Sequence, residues 1–344
     1  MEQQENGKIA VTQEEAPAIR RSKRQTCMRH CKKFWWLHLL IFICVTVLVV
    51  CLIIFVGVKN IAQSKINDAQ LQVQSIVVTN TQSNQYTMKI DSTITTDGSQ
   101  HATIDAFDGV MYLEDKPGHV PFATVHFPQT DSSAFQVVNV TQETPVTDMQ
   151  AFTDFNTWLL ANETLRVTVE GQTSIHVRGI SHAYGVTFKK TITMPGLQSF
   201  NGTTVTDTKI SITPQDDGNN FRGMANIPNR SIVTFEIGNA TFFNYLNGED
   251  IGTVYINNIL LKPGVNSFPM VANITQLPVL QAIRKQPACQ TGILDFQLRG
   301  KDVVNHGQHL TYYSDALASV NQTVPIDIKT PLEAIPIPVS CSSS

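Results

Sequence analysis

Charge is scarce in this chain. Asp, Glu, Lys and Arg together make up 15% of its 344 residues, and the net charge is −3. The only basic cluster precedes a long apolar run, so the portion beyond that run has no electrostatic footprint for nucleic acid, which is excluded as a partner. Signatures of chemistry are missing as well. There is no H-E-x-x-H, no G-x-S-x-G, no Walker-type loop and no G-x-G-x-x-G, so the sequence offers no catalytic residue and no cofactor site. We expect a protein that is not an enzyme and carries no cofactor. Cysteine is sparse, six in all.

The residues that could pose as sites read more simply. His306-Gly-Gln-His309 lacks a third metal ligand, as do His176 and His182 around Arg178-Gly179, so no metal is expected. Asp216-Asp217-Gly218-Asn219-Asn220 lacks the alternating oxygens and terminal glutamate of a calcium loop and reads as a polar turn. Asp105 with Asp108, and Glu114 with Asp115, are residues that β-turns prefer.

What the chain does have is one unbroken apolar run, Leu37 to Val58, twenty-two residues interrupted only by His38 and Thr46. About 20 apolar residues at 1.5 Å each span the roughly 30 Å hydrocarbon core of a bilayer. Phe34, Trp35 and Trp36 supply an aromatic belt at one end. Arg20, Arg21, Lys23, Arg24, Arg29, Lys32 and Lys33 precede it without an intervening acid, whereas only Lys59 and Lys65 follow before Asp68. The positive-inside rule thus puts the N-terminus in the cytosol and the bulk of the chain in a lumen or outside the cell. A cleaved signal peptide would need a shorter apolar core and a small-residue cleavage site.

Seven N-x-[ST] acceptors agree with that orientation. Asn139, Asn162, Asn201, Asn229, Asn239, Asn273 and Asn321 all lie beyond the apolar run. Cysteines divide in the same way. Cys27 and Cys31 lie at the cytosolic edge, where S-palmitoylation is one reading and inert thiols another. Cys44 and Cys51 lie within the span. Cys289 and Cys341 are the lumenal pair, with one possible bridge between them; sequence gives no Cα separation, so bridged and free states both stay open.

The chain divides into a basic tail over 1–33, expected to be disordered, an apolar helix over 34–58, and two domains over 62–199 and 203–341. The two domains are read from an internal repeat with a period near 130 residues. Leu165-Arg-Val-Thr-Val-Glu-Gly171 recurs as Leu294-Asp-Phe-Gln-Leu-Arg-Gly300, each a half-buried strand with a glycine where a turn is expected. Phe135 to Gln142 likewise recurs as Phe268 to Gln276. Val233, Phe235 and Ile237 alternate with polar residues, Asn247-Gly248 reads as a type I′ hairpin turn, and Pro117-Gly118 as a type II turn. A helix is expected after each N-[VI]-T-Q. The first runs over Asp148–Leu160, with Phe152, Phe155, Trp158 and Leu159 on one face. The second carries Leu277, Leu280 and Ile283, with Pro278 in its first turn. The fold class is therefore mainly β: a transmembrane helix followed by two tandem antiparallel β-sandwiches, each with one short helix, and a boundary near Pro195 to Thr204. Leu165, Val167 and Val169 should point inward, as should Leu294, Phe296 and Leu298.

From Ala225-Asn-Ile-Pro-Asn229 through Ile237-Gly-Asn-Ala-Thr-Phe242, Asn247-Gly, Ile251-Gly252 and Lys262-Pro-Gly-Val-Asn266, the sequence resembles the type 2 late-embryogenesis-abundant domain, the water-stress and hypersensitive-response domain. Its strand-entry motif departs from the family order, since proline here precedes asparagine at Pro228-Asn229. The whole layout is similar to a fungal family of uncharacterised single-pass endomembrane proteins with tandem domains of this kind, most closely over Phe152–Leu160 and Leu165–Met194. The resemblance covers about residues 60 to 340. It implies sandwich domains with a helix, residence on the vacuolar or another endomembrane, and a role in holding lipid acyl chains.

Two readings of the aromatic helix follow. In one, it packs over an open end of the first sandwich. In the other, Phe152, Phe155, Trp158 and Leu159 form a lid over a lipid groove lined by Val167, Val169, Ile175, Val177, Val186 and Phe188, where each buried CH₂ would contribute roughly 0.8 kcal/mol. The expected function is a non-enzymatic type II membrane glycoprotein that binds lipid or protein. The alternative is a structural or cell-surface adhesion spacer. Orientation is directly measurable. Protease added to intact microsomes should remove only the basic tail, and glycosidase should lower the apparent mass by several glycans; digestion of the bulk of the chain would overturn the assignment.

Overall fold

The structure, a computed structural model, describes residues 23–99, 101–335, 337, 340 and 341. Helix α1 (Lys23–Leu52) departs from helical geometry at Phe34, where φ is −119° and ψ is 23°. The basic stretch from Lys23 is thus helical backbone, where an unstructured tail to residue 33 was expected; residues 1–22, and the side chains of Cys27 and Cys31, lie outside what is described. A π turn (Ile53–Gly57) leads into α2 (Val58–Asp68). Phe34–Asp68 is long and apolar enough to cross a membrane, and none of its most apolar stretch is buried in protein. An apolar helix near the N-terminus serves either as a single-pass anchor or as a signal sequence.

Beyond it the chain is mainly β, in antiparallel sheets that pack as sandwiches, as the period-two patterning predicts. The first half contains β1 (Gln70–Thr79), β2 (Gln85–Thr95), β3 (Ala102–Ile104), β4 (Phe107–Leu113), β5 (Ala123–Phe127), β6 (Thr130–Asp131) and β7 (Phe135–Pro145). Helix α3 (Met149–Ala161) follows, then β8 (Thr164–Val177) and β9 (Ala183–Pro195). The second half contains β10 (Thr204–Ile210), β11 (Phe221–Asn229), β12 (Val233–Leu246), β13 (Glu249–Leu261) and β14 (Gly264–Ile274). Short helices α4 (Gln276–Ile283) and α5 (Ala288–Thr291) precede β15 (Ile293–Asn305) and β16 (Gln308–His309); α6 (Thr311–Ala318), β17 (Gln322–Asp327) and α7 (Lys329–Glu333) complete it. The second half therefore has several short helices where one was expected.

Pairing order runs β1-β2-β7 and β5-β4-β8-β9 in the first half, and β10-β11-β14-β13-β12-β15-β17 in the second. The orders correspond strand for strand, with one gap, at β5 and β7. There the Gln142 side chain spans the seam, accepting from the His126 N–H at 2.8 Å and donating to the Thr124 carbonyl at 2.8 Å. A side-chain amide supplies the donor and acceptor that a backbone ladder would otherwise provide.

One sheet crosses between the halves. β1 pairs in parallel with β12, Ile76 opposite Val233 and Val78 opposite Phe235, and so joins β1, β2 and β7 to the second half's strands in an 11-stranded sheet, while β3, β4, β5, β6, β8 and β9 form a separate six-stranded one. The connection near Pro195–Thr204 leads from β9, in the six-stranded sheet, to β10, at one end of the 11-stranded sheet. A bulge makes room for this. Gly238, at φ +89°, splits β12 so that one end takes β1 and the other takes β15 on the same side.

The expected inward residues of both repeats, Leu165, Val167, Val169, Leu294, Phe296 and Leu298, are buried. Their terminal glycines do not turn the chain, because β8 and β15 run on through them. Close approach is what requires glycine there. A Cβ on Gly171 would lie 2.5 Å from the Asp108 carbonyl, and one on Gly300 2.4 Å from the Leu317 Cβ. Asn247 (φ 51°) and Gly248 (φ 85°) form the two-residue turn expected of type I′.

Glu236 closes the junction between the halves. Its Oε2 accepts from the Asn80 N–H at 2.5 Å; its Oε1 meets the Asn305 amide and His306 Nε2, each at 3.1 Å; and its carbonyl accepts from the Thr81 hydroxyl at 2.7 Å. Removing the carboxylate takes the acceptor from the Asn80 N–H and one partner each from the Asn305 amide and His306, while the Thr81 bond to the backbone carbonyl stays; the cost is about 1 kcal/mol. Glu236→Ala should lower the urea midpoint of the full chain accordingly, and Glu236→Gln, which keeps one acceptor oxygen, should lose less. Equal midpoints for both variants and the parent would remove Glu236 from the junction.

Candidate functional site

The proposed lipid lid begins as the sequence suggests. The Asp148 carboxylate caps α3 by accepting from the Ala151 N–H at 2.9 Å, within a residue of the expected start. Its face then departs from the groove reading. Phe152 stacks on Tyr86 at 5.0 Å and meets the edge of Tyr312 at 4.8 Å, while Phe155 stacks on Phe122 at 4.0 Å. The helix packs chiefly against α6 of the second half, not over β8.

A void able to hold an acyl chain would leave its walls open to a water-sized sphere. Leu159 and Val167 are 1% exposed, Val169 4% and Phe188 6%. Phe188 is packed by Phe107 and Phe127, with ring centroids 5.3 and 5.8 Å away. Phe155, Trp158 and Val177 are half-buried against the same core. These residues fill the sandwich, and the groove reading is corrected on that ground: aromatic side chains occupy the space it required. A small cavity of about 130 Å³ beside the first turn of α3 is fronted by the Lys116–Asp154 ion pair. In the second half, two interior voids of about 30 and 20 Å³ are each about the size of one water.

The second-half helix buries only part of the expected face. Val279, Ala282 and Ile283 are buried, whereas Leu277 is 63% exposed and Leu280 only partly covered. Of the expected stripe, Ile283 is buried and Leu280 packs partly against the core, while Leu277 faces solvent.

Among the acceptor asparagines, Asn139, Asn201, Asn239, Asn273 and Asn321 are exposed and Asn162 is half-buried. Asn229 is corrected outright. It is 3% exposed, and its Nδ2 donates to the Val233 and Leu261 carbonyls at 2.7 and 3.2 Å while its Oδ1 accepts from the Ser231 N–H at 2.8 Å. Its amide nitrogen ties β11 to β12 and β13 and is closed to a glycosyl donor. Cys289 and Cys341 are joined by a disulfide across 52 residues.

The polar residues singled out earlier are separated. Asp105 pairs with His176, Asp108 with His126, Asp115 with Arg166, and Glu114 accepts from the Thr168 hydroxyl. His306 meets Glu236 and His309 meets Asp302. Asp217 sits in a turn, and hydrogen bonds from Asn219 and then Arg222 hold its carboxyl near 2. No group of three or more His, Cys, Asp or Glu side chains able to hold a metal occurs among the described residues.

One concave feature was missed by sequence reasoning. A cleft of about 590 Å³ opens at the end of the first sandwich, between β3, β6 and the end of β8. Register across these strands places His176 opposite Thr103 and Thr103 opposite Asp131. Asp131 Oδ1 accepts from the Ser133 N–H at 3.1 Å, from the Ser133 hydroxyl and from the Gln136 amide. The Ser133 hydroxyl, then its N–H, lowers the carboxyl below the ordinary carboxylate range. His101, just before β3, and Arg178, just after β8, also line the cleft. The short strands and loop residues here carry no periodic pattern, so only the proximity of three strands reveals the site.

Residues 120–244 match a protein family of unknown function, DUF3712. The DUF3712 match runs from the β4–β5 loop to β12 and so straddles the connection between the halves. No curated protein matches the chain. Among solved structures, similarity is to a glycosyl hydrolase family 2 member from Bacteroides cellulosilyticus (7% identity, TM-score 0.20), over 45% of this chain and only 16% of that one. It extends also to the CupB6 tip adhesin of Pseudomonas aeruginosa (8% identity, TM-score 0.20, covering 75% and 98%). A cross-linked adhesin of Mobiluncus mulieris is similar at 10% identity and TM-score 0.21, over 76% and 98%. Scores this low bear on neither fold nor function.

The burial of Asn229 has a measurable consequence. Asn229→Ala should leave the number of glycans unchanged but cost about 2–4 kcal/mol, since two buried carbonyls and one N–H lose their partner. Asn201→Gln should leave stability unchanged. Urea melts paired with gel mobility separate the two; a one-glycan shift in Asn229→Ala would show that the site is accessible.

Proposed function

We propose that this protein is a non-enzymatic type II membrane glycoprotein whose tandem β-sandwiches form a rigid binding module for protein or other polar ligands. In this reading the Leu37–Val58 segment is the anchor, the basic residues before it stay in the cytosol, and the β portion stands on the other side with its exposed asparagines glycosylated. Residence on the vacuolar or another endomembrane is the location that the late-embryogenesis-abundant resemblance favours, with the cell surface as the alternative.

One observation carries the choice of ligand class. The side chains that would line an acyl site, Val167, Val169 and Phe188 beneath Leu159, are buried in filled core. Recognition then falls to the surface, where polar clefts and loops meet solvent. The continuous sheet favours a second reading, a stiff spacer without a ligand, because it resists relative movement of the halves.

Lipid can be tested directly. Full-length protein in nanodiscs, exposed to a photoactivatable fatty acid, should be labelled only within the apolar helix. Labelled peptides from Phe152–Phe188 would sink the reading and return the first sandwich to acyl-chain binding.

A further inference from the structure

We propose that the cleft between β3, β6 and the end of β8 is a saccharide-binding site that takes a neutral, hydroxyl-rich oligosaccharide. Three features lead there. The first is a set of unspent polar groups. Among the described residues, the Arg178 guanidinium and the His101 imidazole have no side-chain partner, and Asp131 engages its neighbours through Oδ1 alone, leaving Oδ2 without a donor. The cleft thus offers donors without acceptors beside β3 and β8 and an acceptor without a donor on β6.

The second feature is the balance of charge. The lining carries both Arg178 and Asp131, with β3 between their strands, and His176 is already paired with Asp105 at 2.9 Å. A purely anionic ligand meets a carboxylate and a purely cationic one meets a guanidinium. An oligosaccharide meets neither penalty, since one of its hydroxyls can donate to Asp131 while another accepts from Arg178 or His101.

The third feature excludes a peptide strand. Strand addition requires free backbone groups along an edge. Here the Arg178 N–H already donates to the His101 carbonyl at 3.2 Å, the Ser132 N–H to the Ala102 carbonyl at 2.9 Å, and the Ala102 N–H to the Ser132 hydroxyl at 2.8 Å. The Ser133 N–H is held by Asp131. Acyl chains are excluded by the polarity of the walls.

The site goes beyond the non-enzymatic module proposed above and can fail separately: absence of sugar binding leaves that module standing, whereas turnover of a bound sugar would overturn it. The test is calorimetric titration of full-length protein in nanodiscs with neutral trisaccharides of glucose, mannose and N-acetylglucosamine, a galacturonic acid trimer, and an uncharged octapeptide. At least one neutral trisaccharide should bind, and more tightly than the uronic acid trimer and the peptide. Arg178→Ala and Asp131→Asn should each weaken that binding tenfold or more with unchanged thermal melts. His126→Ala, whose side chain pairs with Asp108 outside the cleft, should leave it unchanged. Binding of none of the neutral sugars, binding indifferent to Arg178 and Asp131, or a preference for the peptide or the uronic acid trimer would each overturn the proposal.

Discussion

Three residue pairs between β1 and β12 set the architecture of everything beyond the apolar helix. Parallel pairing in an otherwise antiparallel protein requires two strands far apart in sequence to meet side by side. Here Ile76–Val78 does so with Val233–Phe235, and the bulge at Gly238 is what leaves that length of β12 open. Glu236 then gathers the β1–β2 turn and the end of β15 onto one carboxylate, and the Tyr312 hydroxyl donates to the Gln82 carbonyl at 2.9 Å. Without this contact the strand order would describe two separate sandwiches. With it, Lys59–Ser344 is one compact unit.

The parts of this fold that were legible in the sequence are those governed by local periodicity. Alternation identified β8, β12 and β15 and the side of each that faces inward, and Asp148 marked the start of α3 to within a residue. The glycines of the repeat were legible as constrained positions but not as the right constraint. A turn and a close approach both demand glycine, and only the distance from Gly171 to the Asp108 carbonyl separates them. The parallel join escaped because no local pattern encodes which distant strand fills an open edge.

The candidate sites fared differently for a related reason. Hydrophobicity says that Val167, Val169 and Phe188 leave water; it does not say whether they close on one another or around a guest. The rings of Phe107 and Phe127 decide that, and they come from strands whose placement the sequence left open. Asn229 shows the converse. Its tripeptide satisfies the glycosylation pattern, yet the same amide serves as a buried tie between β11, β12 and β13. The polar cleft lay beyond sequence reasoning because His101, Asp131 and Arg178 converge only after β3 and β6 pair.

The packing of α3 against α6 governs the order in which the chain can complete itself. As synthesis proceeds from the N-terminus, Phe152 and Tyr86 emerge long before Tyr312, their third ring, and Gln82 waits 230 residues for the hydroxyl that donates to it. The first sandwich therefore leaves the ribosome with an aromatic flank uncovered and the β1 edge unpaired, features that slow folding and invite association with other chains. Truncation after the first repeat would make that transient exposure permanent. The second repeat thus covers surface that the first cannot bury alone.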